Sequence, residues 1–395
     1  MKVCILAPFK VLPQMSGASR RVVELCTSLS AAGVSIILLH AGSTHAFHRD
    51  LRMIGFPSLE NSLLTKHFPV SGAVDTYLSS MNPALCRTLI KLMTKVKIDI
   101  LQLEGPWSVL AAELANVVAS KVPMVYDSHN VESLSVRFSS SVGWMWPFAK
   151  LLERRAVMHS AKVFCVSELE KARMCSLYGF QGHRVIVVPN GVCNSEFRTR
   201  RPSQIRTKIR TRLQLALHSK IVFFHGELGW KPNAQAAETI VGSIAPRFDK
   251  EDREIVFLIA GPHPSRQLLQ QSRCHSNVRI LGYVPNITEF VCAADLCIAP
   301  LAAGSGTRLK ILEYFAAGKP VVATHKAVEG LGVVDGIHGL FCKTLGEEFI
   351  QAISVALNPE LSRELGARAR TFAKRFEWST IAQKVAEVYE SLMLH

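Results

Sequence analysis

The chain is predicted to be α/β, built as two successive units that each carry a parallel sheet. Short β-branched runs alternate with amphipathic helical stretches from Met1 to about Pro189, and again from Lys220 to about Phe341, the pattern of repeated strand-helix-strand units. Pro189-Asn190-Gly191-Val192, with a proline and an Asn-Gly pair, reads as a turn between the two series. With 395 residues, the chain is long enough for two domains that each bury a core.

In the first series the strands are expected at Val3–Ala7, Ser35–His40, Ile98–Leu103, Met124–Asp127, Val163–Val166 and Val185–Val188. In the second they are expected at Ile221–His225, Ile255–Ala260, Val278–Leu281, Leu296–Ala299, Pro320–Ala323 and Gly339–Phe341. Continuous apolar runs of this length suit strands covered on both faces by helices. The last stretch is helical in pattern, because Phe376, Trp378, Ile381, Val385, Val388 and Leu392 recur at helical spacing. The expected division is 1–192, a basic linker at 193–219, 220–375 and a C-terminal helix at 376–395.

Composition excludes several classes. Apolar residues make up 48%, yet no run is long enough to cross a bilayer, and Met1-Lys2-Val3-Cys4-Ile5-Leu6-Ala7-Pro8 lacks the apolar region of a signal peptide. The ten cysteines lack the close pairing of a zinc site and read as buried thiols of a cytoplasmic protein. The net charge of +15 is concentrated in part at Arg198, Arg200, Arg201, Arg206, Lys208, Arg210 and Arg212. Such a stretch attracts phosphates, although a solvated linker helix would have the same composition. No nucleic-acid partner is expected, since neither a reading module nor interleaved aromatics accompany the charge. Trp144, Trp146, Phe148, Leu151 and Leu152 with Lys150, Arg154 and Arg155 form an apolar and basic segment that suits either a membrane surface or core packing.

The stretch from Gly304 through Ser305, Gly306, Thr307, Arg308, Leu309, Lys310 and Glu313 to Val322 reads as a loop that cradles phosphate, opens a helix and leads into a strand. Glycines let the backbone approach an anion, and the first-turn N–H groups face it with the positive end of the helix dipole. Arg308 and Lys310 add mobile positive charge, and Glu313 is placed to accept from a ribose diol. An ordinary amphipathic helix with a glycine start would read the same locally. Gly226 to Lys231 is a second close approach after a strand, where Lys231 is either a phosphate contact or a surface lysine. Gly17 follows the first strand, and Arg20 and Arg21 open the next helix, facing an acceptor phosphate or solvent. No Gly-x-Gly-x-x-Gly follows the first strand, which argues against a dinucleotide dehydrogenase.

Strings in order along both halves resemble the retaining nucleotide-sugar glycosyltransferases of family 4, which have the GT-B architecture. They are Gly17-Ala18-Ser19-Arg20-Arg21, Tyr126-Asp127-Ser128-His129-Asn130, Val166-Ser167-Glu168, Val187-Val188-Pro189-Asn190-Gly191-Val192, Phe224 to Asn233, Ile259-Ala260-Gly261-Pro262, Leu281-Gly282-Tyr283-Val284 and the glycine loop with its helix. The resemblance implies two Rossmann-like domains facing across a cleft, the acceptor on the first and the donor on the second, with the C-terminal helix crossing back to the first. His129 matches the family's histidine near the sugar's primary hydroxyl. The catalytic candidates are His129 and Glu313, and Gly17, Gly226, Lys231, Gly306, Thr307, Arg308, Leu309, Lys310 and Glu313 are the donor-binding candidates. Arg20 and Arg21 are the acceptor-binding candidates.

Two positions depart from the family. Ser305 stands where many members carry a second glutamate, and Glu227 where many carry an arginine. The resemblance implies transfer with retention, by attack on the face that the leaving group departs from, without a pair of enzyme carboxylates. No cofactor and no metal are expected, because the Asp-x-Asp motif of the other major glycosyltransferase fold is missing. The donor is expected to be UDP- or GDP-linked, and the acceptor a glycan, a lipid-linked species or a small molecule, with peripheral contact at the inner face of a membrane. A nucleotide-sugar epimerase of the same fold, or a non-catalytic subunit binding nucleotide or glycan, are the alternatives.

Overall fold

The computed structural model of the chain describes residues 1–14, 16–42, 46–48, 51–58, 76, 78–137, 142–180, 182–198, 202–251 and 254–394. They form two compact units, Met1–Pro189 with Trp378–His395, and Asn190–Glu377.

The first unit contains β1 (Lys2–Ala7), β2 (Ser35–Ala41), β3 (Ala46–His48), β4 (Leu51–Phe56), β5 (Ile100–Glu104), β6 (Met124–Ser128), β7 (Lys162–Cys165) and β8 (Val185–Val187). They lie in the order β3-β4-β2-β1-β5-β6-β7-β8, parallel throughout except where β3 meets β4. The second unit contains β9 (Lys220–His225), β10 (Ile255–Ala260), β11 (Val278–Gly282), β12 (Leu296–Ala299), β13 (Val321–Thr324) and β14 (Leu340–Cys342). Their order is β11-β10-β9-β12-β13-β14, all parallel. Both are Rossmann-like sheets. In each, strand order reverses once, between β1 and β5 and between β9 and β12. Connections on the two sides of a reversal leave for opposite faces, so a crevice opens there at the carboxyl edge of the sheet.

Every strand expected from the sequence forms, within two residues at each end. β3 and β4 were not expected. β4 reads Leu-Arg-Met-Ile-Gly-Phe, interrupted by Arg52 and Gly55, and becomes a strand by pairing with β2 while Leu51, Met53 and Phe56 are buried; tertiary pairing outweighs the weak local pattern.

The helix Trp378–Met393 belongs to the first unit, where it packs against the helix Gly17–Ala31. Its buried face is Trp378, Ile381, Ala382, Val385 and Tyr389; the tyrosine, rather than the expected Val388 and Leu392, continues that face. Within the basic stretch, the helix Pro202–Arg212 is part of the second unit. Ile209 and Arg210 are buried, Arg210 pairs with Asp295 at 2.6 Å and Lys208 with Glu289 at 2.8 Å. Part of the expected phosphate-attracting charge is thus neutralised within the fold, and Arg200 and Arg201 lie outside the described residues.

At the carboxyl ends of β9 and β10 two backbones nearly touch. Gly226 N–H donates to the Ala260 carbonyl at 3.0 Å, and a Cβ on Gly261 would lie 1.8 Å from the Gly226 oxygen. Gly261→Ala is expected to destabilise the protein by about 2 kcal/mol through this overpacking. Chemical denaturation checks it, with the midpoint falling and the slope unchanged.

Candidate active site

In the second unit the loop after β12 and the turn after β9 flank the strand reversal. Gly304 and Gly306 take positive φ values of 113° and 69°, which let the loop double back before the helix Leu309–Ala316. Asn190 pins that loop, its Nδ2 donating to the Thr307 carbonyl at 3.1 Å and Thr307 Oγ1 at 2.9 Å. Arg308 folds back as well, donating to the carbonyls of Ser305 and Gly306. Arg308 is the N-cap residue, but its side chain does not cap the helix, so the positive end of the dipole is left for another acceptor.

Lys310, one residue into that helix, is buried. Its ammonium donates to Asn233 Oδ1 at 2.8 Å and stands 4.3 Å from the centre of the Phe224 ring. A Cβ at Gly226 would lie 2.7 Å from both Lys310 Nζ and Asn233 Nδ2, which explains the glycine at the end of β9. Burial pushes Lys310 down to about 7, with the Arg308 guanidinium acting the same way and Glu313 opposing. Glu313 lies on the same helix, with a carboxylate oxygen 2.9 Å from His225 Nε2, while the backbone N–H of His225 donates to the Tyr314 hydroxyl at 3.2 Å. Burial also holds the Glu227 carboxyl above the ordinary range, against the opposing charge of His263.

In the first unit Glu104 and Asp127 are register partners on β5 and β6. Asp127 accepts from Arg21 Nε at 3.1 Å and Nη2 at 2.9 Å, and Arg21 also donates to the carbonyls of Val188 and Pro189, both at 3.0 Å. Glu104 Oε2 is 2.7 Å from His129 Nε2. The segment carrying His129 is clamped from behind: Val131 N–H donates to Glu170 at 2.9 Å, and Glu132 and Ser133 N–H donate to Glu153 at 2.8 and 3.0 Å. Burial alone would lower the His129 pKa; the Glu104 hydrogen bond and the charges of Glu104 and Asp127 outweigh it, against Arg21, and hold it above the usual imidazole value. Burial and the neighbouring Glu153 push Glu132 up to about 8, with His129 opposing.

The expected residues therefore fall into two sets, each within one unit. Gly226, Gly306, Thr307, Arg308, Leu309, Lys310 and Glu313 converge on the strand reversal of the second. Lys231 stands exposed at the first position of the helix Lys231–Thr239, two residues before Asn233. Gly17 is exposed at the start of its helix, after the Ser16 cap, with half-buried Arg20 on the same helix. Two expectations are corrected. Arg308 and Lys310 do not supply mobile charge, because both are buried, Arg308 bonded to its own loop and Lys310 to Asn233. Arg21 does not face an acceptor phosphate: its side chain is 1% exposed and its donors go to Asp127 and two carbonyls. Sequence reasoning did not single out Asn190, His225, Asn233, Asp127 or Glu104. The first four lie inside the family-like strings; Glu104 closes an apolar strand and carried no local signal. Ligand-type atoms of Glu104, Asp127 and His129 lie within 4.8 Å of one another, but Arg21 takes both oxygens of Asp127, and Gln102 and His129 take those of Glu104.

Comparison with known proteins fits this arrangement. Residues 15–195 match the model of Glycosyltransferase Family 4, and residues 219–358 match that of Glycosyl transferases group 1. The chain belongs to this glycosyltransferase family. It is 22% identical to the phosphatidylinositol N-acetylglucosaminyltransferase GPI3 subunit of Saccharomyces cerevisiae, over 96% of this chain and 81% of that protein. It is also 22% identical to the phosphatidyl-myo-inositol mannosyltransferase of Mycolicibacterium smegmatis, over 99% of this chain and 94% of that one. Among solved structures, Anabaena HepE in complex with UDP and glucose superposes with a TM-score of 0.76 at 18% identity, over 99% of this chain and 100% of that one. Sucrose-phosphate synthase from Thermosynechococcus elongatus does so with a TM-score of 0.79 at 17% identity, over 100% and 99%. The shared fold is the GT-B fold.

Removing one member of a buried ion pair leaves the other charge desolvated, so Arg21→Met is expected to cost roughly 3 kcal/mol or more. Denaturant titration measures it. A variant of wild-type stability with a raised acceptor KM would restore Arg21 to the acceptor site.

Proposed function

We propose that the chain transfers a hexose from a UDP- or GDP-linked donor to a glycan or lipid-linked acceptor in glycoconjugate or polysaccharide synthesis, with retention and without a metal ion. The observation that carries this reading is the buried Lys310 ammonium beside two glycine turns at the strand reversal. Departure of a nucleoside diphosphate leaves negative charge on its terminal phosphate, and catalysis requires groups that meet that charge as it develops. Protonated Lys310, the uncapped helix end and the fixed charge of Arg308 can meet it together. Glu313, 2.9 Å from His225 Nε2, is placed for the ribose hydroxyls. His129, held by Glu104, is the candidate contact to the transferred sugar. With retention by same-face attack, the departing phosphate oxygen takes the acceptor proton, so the two carboxyl groups of a glycoside hydrolase are unnecessary.

Two named relatives act on phosphatidylinositol-type acceptors, which supports an acceptor carried by a lipid. No helix among the described residues is long and apolar enough to cross a membrane. The first unit does expose Trp144, Leu151 and Arg154, with Lys150 half-exposed, while Trp146, Phe148 and Leu152 pack inward. That face suits peripheral contact with anionic lipid, and we assign the protein to the cytoplasmic side of a membrane.

A thermal-shift screen with nucleoside diphosphates and nucleotide sugars, without metal, tests the donor reading. Stabilisation by one diphosphate and its sugar is expected, with loss of that shift in Glu313→Ala and loss of most transfer activity in Glu313→Ala and in His129→Ala. Stabilisation without turnover on any acceptor would favour a non-catalytic subunit, and conversion of the donor alone would favour an epimerase.

The pH dependence has a definite sign. Lys310 in the empty site gives up its proton above about 7, whereas a diphosphate recruits the ammonium form. Binding above that pH must take up a proton, so affinity is expected to fall by up to about tenfold per pH unit between roughly pH 7 and 9. Calorimetric titration should show the slope in the wild type, and weaker binding without it in Lys310→Met.

A further inference from the structure

We propose that Glu104, Gln102 and Tyr389 form a positioning relay through which the C-terminal helix orients the imidazole of His129. The inference rests on the reading that His129 touches the transferred sugar.

The relay is a continuous chain of hydrogen bonds in the first unit. Tyr389, on the helix Trp378–Met393, donates its hydroxyl to Gln102 Oε1. Gln102 Nε2 donates to Glu104 Oε1 at 2.7 Å, and Glu104 Oε2 lies 2.7 Å from His129 Nε2. Tyr389 and Gln102 are fully buried and Glu104 is 1% exposed, while His129 keeps 12% of its side-chain surface. Gln102 and Glu104 are two apart on β5, hence on one face of the strand.

The order of donors is forced by chemistry. An ionised Glu104 can only accept, so Gln102 must turn its amide NH2 toward it, and the amide oxygen then requires a donor, which the tyrosine supplies. With both oxygens engaged, Glu104 holds a proton on His129 Nε2 and leaves Nδ1 as the nitrogen that gains and loses one. The same tyrosine anchors the helix that returns from the second unit to the first.

The charged groups facing His129 are Glu104 and Asp127 from β5 and β6, and Arg21 from the first helix; Glu132, in the segment that follows, is coupled to it. Asp127 is neutralised by Arg21, so Glu104 is the carboxylate whose loss His129 should feel most.

The test is a histidine-ring NMR titration of the full chain, free of substrate, with the His129 signal assigned by its absence in His129→Asn. In Glu104→Gln the pKa of His129 is expected to fall by about one unit, and in Tyr389→Phe, which removes only a hydroxyl, to shift by a smaller amount. Transfer should drop about tenfold in kcat in Glu104→Gln, with diphosphate affinity unchanged because that site lies on other residues. A His129 titration unmoved in a folded Glu104→Gln protein would overturn the relay; should that variant fail to fold, an unmoved titration in Tyr389→Phe would overturn it. The titration needs no turnover. Shifted pKa values in a protein that consumes no nucleotide sugar would therefore refute the transfer reading and leave the relay standing.

Discussion

An ammonium group loses much of its hydration on burial, and the architecture of the second unit is arranged around one that is buried. Lys310 stays inside because Asn233 accepts from it and the Phe224 ring lies under it. Its neighbours follow from that placement. Gly226 has no room for a Cβ, Gly261 has none beside Gly226, and the loop before the helix must turn back through Gly304 and Gly306. Strand order brings these parts together, since β9 and β12 are neighbours although the strands lie far apart in sequence. On the proposed reading, an arriving diphosphate restores the charge of this buried cation, whose proton affinity burial has lowered.

The first unit solves a different problem, the fixing of a histidine at a sheet edge. Carboxylates surround it in three roles. Asp127 is tied to Arg21 and holds the first helix and the end of the sheet in register. Glu153 and Glu170 take the backbone N–H groups of the segment after His129, while Glu104 takes the imidazole itself. On the proposed reading of His129 as a contact to the transferred sugar, this preorganisation leaves little reorganisation to accompany reaction, the condition under which fixed dipoles and charges are most effective.

The fold was legible in the sequence because parallel strands covered on both faces are continuous apolar runs, and twelve of them stood between helical stretches. β4 was not legible, because Arg52 and Gly55 break its run and only β2 completes it. The glycine loop and Glu313 were readable as a local pattern. Their partners were not: Asn233 lies 77 residues from Lys310, and Asp127 lies 106 from Arg21, and such pairings are decided by strand order rather than by neighbours in the chain. Arg21 was misread for the same reason. Helical periodicity locates a charged residue on a face, but a buried acid that will claim it leaves no mark nearby. Tyr389 likewise falls on the helical period, yet its hydroxyl acquires meaning only through Gln102 on another element.

On the proposed reading, a nucleoside diphosphate binds at the strand reversal of the second unit. Hydrogen–deuterium exchange of the full chain, with and without the diphosphate that stabilises it, reads out that location. Slowed exchange is expected mainly in residues 226–233 and 304–313. Protection that leaves both segments unchanged while the nucleotide is bound would contradict it.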